Sequence, residues 1–145
     1  MNPDFTGIHS QYAYTLLLSG RYQDALSEAE KEPELRWRAL LKAFALYSLG
    51  KQEESDLELK AFIEAHHEFW AYQIAEVYSW RNEADEAFYW LDAALRYRDP
   101  GLSNLMSDRT LRNLYSDPRW EPFLNKVGFL EAWQEMPARH KGSTQ

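Results

Sequence analysis

The sequence contains no cysteine, so neither disulfides nor thiolate metal ligands hold the fold, and a reducing compartment is expected. Nowhere does an apolar run approach the roughly 18 residues that suggest a membrane span. The opening MNPDFTGIHSQ lacks a basic stretch followed by an apolar core, so no secretory signal is legible. These absences make the cytoplasm the expected location and leave no role for a membrane partner. Catalytic signatures are missing too: there is no glycine-rich phosphate loop, no G-x-S-x-G elbow and no H-E-x-x-H pair. Histidine is scarce, with His9, His66, His67 and His140. Glu64 and His67, at i and i+3, match half of the carboxylate–histidine arrangement of di-iron bundles. Such a site needs a second copy and two more inward glutamates. Adjacent histidines at a helix C-terminus more often complement the helix dipole. No catalysis, metal or cofactor is therefore expected.

Basic charge is also short. Sixteen Lys and Arg face 23 Asp and Glu, a net charge of −7, whereas phosphate recognition needs a dense basic footprint. From Arg96 to Lys126 the balance is locally +2 (six basic, four acidic), which reads as a solvated face. Direct nucleic-acid binding is not expected.

Aromatic rings are abundant. Six Trp, nine Tyr and seven Phe within 145 residues must either fill a core or line a binding surface. The length suits one domain with a sizeable core. The chain is organised around Phe69 to Pro100, FWAYQIAEVYSWRNEADEAFYWLDAALRYRDP. Ile74, Ala75 and Tyr78 share one face of a first helix. Ala87, Leu91 and Ala94 recur at i, i+4 and i+7 on a second. Asn82 makes the turn between them, and Asp99-Pro100 ends the pair, because the residue before proline is pushed out of the α region.

The same register occurs twice before. Ala13, Ala43 and Ala75 precede Ala25, Ser55 and Ala87 by twelve residues, with Gly20, Gly50 and Asn82 always seven after the first member. Glycine, then asparagine, are the cheapest residues at positive φ. The expected helices are about Ile8–Ser19, a short one from Tyr22 stopped by Pro33, Leu35–Leu49 and Gln52–Ala65, then the pair just described. Beyond Pro100, Asp108 is expected to cap a helix reaching about Tyr115. Asp117-Pro118 is expected to open another, as N-cap and N1, whose apolar face is Trp120, Phe123, Leu124 and Val127 and which ends at Gly128. Phe129, Leu130 and Trp133 make a last apolar cluster.

Three helical hairpins at spacings of 30 and 32 residues indicate a stacked repeat, and the third resembles a tetratricopeptide repeat, W-x2-L-G-x2-Y, then A-x3-F, then P. Lys42 and Glu32 depart from that pattern, standing where a leucine and a small residue are usual. The alternative is a helical bundle with coincidental spacing. The resemblance implies an all-α fold: a right-handed tetratricopeptide-like solenoid over residues 1–136. Its repeats are about 6–35, 36–67 and 68–100, followed by capping helices at 101–136 and a flexible tail at 137–145. The run AFYWLDAALRYRDPGLSNLM followed by SDPRWEPFLNKVGF is similar to the C-terminal close of repeat arrays in larger bacterial signalling and transcription regulators. That implies either the C-terminal repeat region of a longer protein or a free-standing relative, and the lead-in Asn2-Pro3 suits an inter-repeat junction.

In this family the first helix of each hairpin lines a concave groove. The resemblance places Tyr14 and Leu18 there, with Ser10 and Leu17, from the first repeat. It adds Trp37, Leu40, Phe44 and Tyr47 from the second, and Phe69, Tyr72, Glu76 and Trp80, with Ser79, from the third. Such a groove differs from the asparagine- and lysine-lined clamps of some relatives. It is expected to bind an apolar or aromatic segment of a protein or peptide partner, with Glu76 as its lone charged selector. Three alternatives stand beside it: a groove covered by the helix bearing Trp120, Phe123 and Leu124; a homodimer contact; and a sensor region whose parent carries a catalytic or DNA-binding domain elsewhere.

Overall fold

A computed structural model describes residues 7–137. Of the expected lead-in, residues 1–7, and the expected tail, residues 137–145, all but Gly7 and Pro137 lie outside the described residues, Asn2-Pro3 and His140 among them. Among those described there are eight α-helices, two 3₁₀ segments and no strand. The helices are α1 (Ile8–Leu18), α2 (Tyr22–Ala29), α3 (Leu35–Ser48), α4 (Gln52–His66), α5 (Ala71–Trp80), α6 (Ala84–Tyr97), α7 (Trp120–Val127) and α8 (Leu130–Glu135). The 3₁₀ segments are Pro100–Asn104 and Arg109–Leu114. No described helix is long and apolar enough to cross a membrane. The chain divides into two compact units, Met1–His67 and Glu68–Gln145, and the break falls where the third repeat begins.

α1 packs on α2, α3 on α4 and α5 on α6, so the molecule is built of helical hairpins. One turn serves all three. Gly20, Gly50 and Asn82 have φ of 77°, 81° and 62°, the left-handed region that the register anticipates. Around each, the next amide reaches back to close the helix: Arg21 N–H to the Leu16 carbonyl, Lys51 to Leu46 and Glu83 to Tyr78, each at 2.9 Å. The turn residue itself donates to Leu17, Tyr47 or Ser79. This is the Schellman pairing, which satisfies carbonyls a helix end otherwise leaves open. The small-residue pairs meet behind it. Ala13 and Ala25, Ala43 and Ser55, and Ala75 and Ala87 are all at most 1% exposed. Where serine replaces alanine, its Oγ donates to the Ala43 carbonyl at 2.7 Å, so the hydroxyl is buried with a partner.

In the first unit α3 is central, touching α1, α2 and α4. α2 is only eight residues long, as Pro33 foretells, and the chain leaving it turns inward at Glu32. That side chain, the departure from the repeat pattern, is fully buried. Its Oε2 accepts the Ser10 backbone N–H at 3.0 Å and the Ser10 hydroxyl at 2.6 Å, and its Oε1 accepts the Glu34 N–H at 3.1 Å. A carboxylate therefore satisfies an amide of the first turn of α1, one of the donors a helix start leaves open. Beside it, His9 is paired with Glu28.

The second unit has one hairpin and a different close. After α6 the chain takes a left-handed residue at Arg98, φ 56°, and drops into the first 3₁₀ segment. Asp108 caps the second segment as expected, accepting the Thr110 N–H at 3.0 Å, but the segment it caps is 3₁₀ rather than α. The spacing of the leucines suits this. Leu102 and Leu105, and Leu111 and Leu114, lie three residues apart and are all buried. A helix of three residues per turn sets such pairs on one edge. Asp117 accepts the Arg119 N–H at 2.8 Å in a turn of its own, so α7 starts at Trp120 instead of at Pro118. Trp120, Tyr115 and Trp133 form a ring cluster with centroids 4.8–5.5 Å apart. α7 is tied to α6 by Arg119–Asp85 at 2.8 Å and Lys126–Asp92 at 3.3 Å, and the Arg119 guanidinium sits 4.7 Å over the Phe88 ring.

Candidate interaction surface

The tetratricopeptide resemblance implies ten candidate residues along the first helix of each hairpin, and each unit treats them differently. In the first unit, Tyr14 is half-buried and Leu18 is 43% exposed on α1. Trp37 and Tyr47 are half-buried on α3. Leu40 and Phe44, expected to be exposed, are instead core, at 1% and 0%, because α3 is flanked by three helices. The two stripes touch: the Tyr14 ring meets Phe44 edge-on, centroids 5.6 Å apart, a favoured aromatic geometry. Tyr14 thus lies against a core ring, while Leu18, Trp37 and Tyr47 stay partly exposed on the same two helices.

In the second unit Phe69 is 82% exposed and Trp80 half-buried. Phe69 and Trp70 precede α5 instead of starting it. Tyr72 and Glu76, expected in the groove, are buried because the chain's own residues 100–114 lie over α5. An ideal Cβ on Gly101 would stand 2.6 Å from the Tyr72 ring, so only glycine lets the first 3₁₀ segment approach that closely. The Tyr72 hydroxyl donates to Asp108 Oδ2 at 2.6 Å, and its backbone N–H donates to Asp99 Oδ2 at 3.0 Å. The Thr110 hydroxyl reaches Glu76 Oε2 at 3.2 Å, and Asn113 Nδ2 donates to the Ser79 carbonyl at 2.9 Å. α5 is therefore covered by these segments, whereas the helix bearing Trp120, Phe123 and Leu124 is joined to α6 by its ion pairs. The hydrogen-bonding residues at 108, 110 and 113 alternate with the leucines at 111 and 114; the sequence shows this pattern, but periodicity at α-helical spacing hides it.

Electrostatics also separate the units. Burial pushes the Glu32 carboxyl up, but the Ser10 hydroxyl and the amides bonded to it outweigh that and hold it below the ordinary value. Burial raises Glu76 well above the carboxylate range, and the negative charge of Asp108 adds to the rise. Glu76 is thus a buried acid that resists ionisation, not the exposed charged selector the resemblance implies.

An open groove of about 550 Å³ also lies in the first unit beside the short α2, floored by Leu26, Leu46 and Leu57. Lys42, the second departure from the repeat pattern, borders it and pairs with Glu58 at 2.9 Å. Among the described residues no group of three or more His, Asp or Glu is placed to hold a metal ion. His67 Nδ1 lies 3.0 Å from the Ile63 carbonyl, and Glu64 is exposed. Comparison with protein-family models, curated proteins and solved structures returns no match.

Proposed function

We propose that this chain is a non-catalytic interaction scaffold of tetratricopeptide-like hairpins, and that the α1–α3 face of its first unit binds a peptide or helix of a protein partner. The carrying observation is the partial exposure of Tyr14, Leu18, Trp37 and Tyr47 on α1 and α3, with the Tyr14 ring against the buried Phe44. Partly exposed rings on a fixed backbone are the usual anchors of a binding surface, and two adjacent helices offer a groove of the helix-in-groove kind. The repeat assignment is supported by the three identical turns and by the buried small-residue pairs behind them. Acidic surface charge suits a partner segment with apolar anchors and basic flanks.

Selection of a displayed peptide library against the protein tests this reading. Selected peptides should shift the amide resonances of α1 and α3. A Trp37→Ala, Tyr47→Ala double variant that keeps its helicity should lose about tenfold or more in affinity, about 1.4 kcal/mol. Peptides that map elsewhere, or that bind the double variant unchanged, refute it.

A second reading is favoured by the cover on α5. A regulatory or sensor region of a larger protein needs an element that can be held closed, and residues 100–114 supply one.

A further inference from the structure

The contacts between α5 and the second 3₁₀ segment are short of protons. The Thr110 hydroxyl stands 3.2 Å from Glu76 Oε2 and 2.6 Å from Asp108 Oδ1, so its one hydrogen faces two carboxyl groups. Asp108 has other donors, the Tyr72 hydroxyl at 2.6 Å and the Thr110 N–H at 3.0 Å. The buried Glu76 carboxyl thus shares its hydroxyl donor with Asp108. Two carboxyl groups that share one donor repel each other when both are ionised, so the arrangement favours a proton kept on one of them. Glu76, with the poorer set of donors, is the one that keeps it. The other charge bearing on Glu76 is again acidic, Asp99. Around the far side of Asp108 stand the Tyr115 hydroxyl, 3.3 Å from the Asp108 carbonyl, and the Arg109 and Arg112 charges that act on Tyr115.

We propose that the Glu76–Asp108 pair is a proton-dependent latch, holding residues 109–114 on α5 and releasing them as pH rises. Once the segment lifts, water reaches Glu76 and its carboxyl ionises in the ordinary range; while closed, the pair keeps the proton. The closed state therefore binds one more proton than the open one at pH values between those two ranges. Closure weakens there by up to about tenfold per pH unit. Release uncovers Tyr72, Glu76 and Ser79 on α5. The latch belongs to the second unit alone and does not rest on the binding face of the first.

Amide hydrogen exchange on the full chain between pH 5 and 8 tests it, read as protection factors so that the intrinsic pH dependence of exchange is removed. The amides of Leu111 and Tyr115, bonded to the Asp108 and Arg112 carbonyls, should lose protection by up to about tenfold per unit. Glu76→Gln keeps a donor toward Asp108 without a titrating proton, so its protection should be flat with pH. Asp108→Asn should also flatten the profile. A flat profile in the unaltered protein, or a slope that survives Glu76→Gln, overturns the latch. If neither variant folds, the profile of the unaltered protein decides alone.

Discussion

Two buried glutamates, one in each unit, behave in opposite ways. Glu32 and Glu76 are both almost wholly removed from water; Glu32 sits against the first helix of one hairpin and Glu76 on the first helix of another. Glu32 is met by donors: a hydroxyl and two backbone N–H groups. Glu76 is met by another acid and by a hydroxyl shared with it. Burial disfavours the charged form equally in kind, so the partners decide the sign. In the first unit the carboxylate fastens a helix start; in the second an acid that resists ionisation lies under a cover. One residue type thus makes a permanent joint in one place and a titratable one in the other.

The comparison can be broken at its cores first. Phe44 and Trp120 are both fully buried, and each Ala substitution is expected to cost about 3–5 kcal/mol in urea unfolding. If Phe44→Ala leaves stability intact, the α3 ring is not core and the division of face from core in the first unit is wrong. Next come the glycines. Gly101→Ala drives a Cβ into the buried Tyr72 ring and should destabilise by about 1–3 kcal/mol. Gly50→Ala meets open space and only the strain of a positive φ, about 1 kcal/mol. Thermal melts of the two variants should rank them in that order, and the reverse order contradicts close seating of the 3₁₀ segment.

The acids come third and separate by sign. Glu32 has a depressed folded pKa, so its contribution is present above the ordinary carboxyl range and lost as pH falls through the folded value. Glu32→Gln should lower stability at pH 7 by about 1–3 kcal/mol, as expected for a buried hydrogen-bonded group, and the deficit should close in acid. Glu76 has a raised folded pKa, so its contribution is complete below the ordinary range and declines as pH rises toward the folded value. Glu76→Gln should therefore match the unaltered protein in acid and exceed it at pH 7. The smallest effects belong to the turns. Asn82→Gly and Arg98→Gly relieve side chains held at φ of 62° and 56° and should each stabilise by about 0.5–1 kcal/mol, read as a shift in urea midpoint.

Much of the hairpin framework is legible in the amino-acid order alone. The twelve-residue offset of small residues and the turn seven positions after the first locate Gly20, Gly50 and Asn82, because a left-handed residue and a close helix approach each demand a particular residue type. The helix limits follow from Pro33 and Asp99-Pro100 for the same reason. What escapes is the fate of the groove. Tyr72 reads identically whether it faces solvent or is roofed, since periodicity gives the face of a helix and not what lies upon it. The roof itself is cryptic, because the three-residue spacing of Leu102 and Leu105, and of Leu111 and Leu114, suits an α-helix and a 3₁₀ segment alike. Glu32 looks like a defect in the repeat. Its partners, the Ser10 amide and hydroxyl, lie 22 residues away and come within reach only once the hairpin is closed.

The central claim is that the ring-bearing face of α5 is roofed by its own chain while that of α1 and α3 is left at the surface. Hydroxyl-radical labelling of the native protein at pH 5, read residue by residue by mass spectrometry, tests it most directly. Trp37 and Tyr47 should be oxidised readily and Tyr72 protected, with the difference vanishing in denaturant. Oxidation of Tyr72 at the rate of Tyr47 in the native state would contradict it.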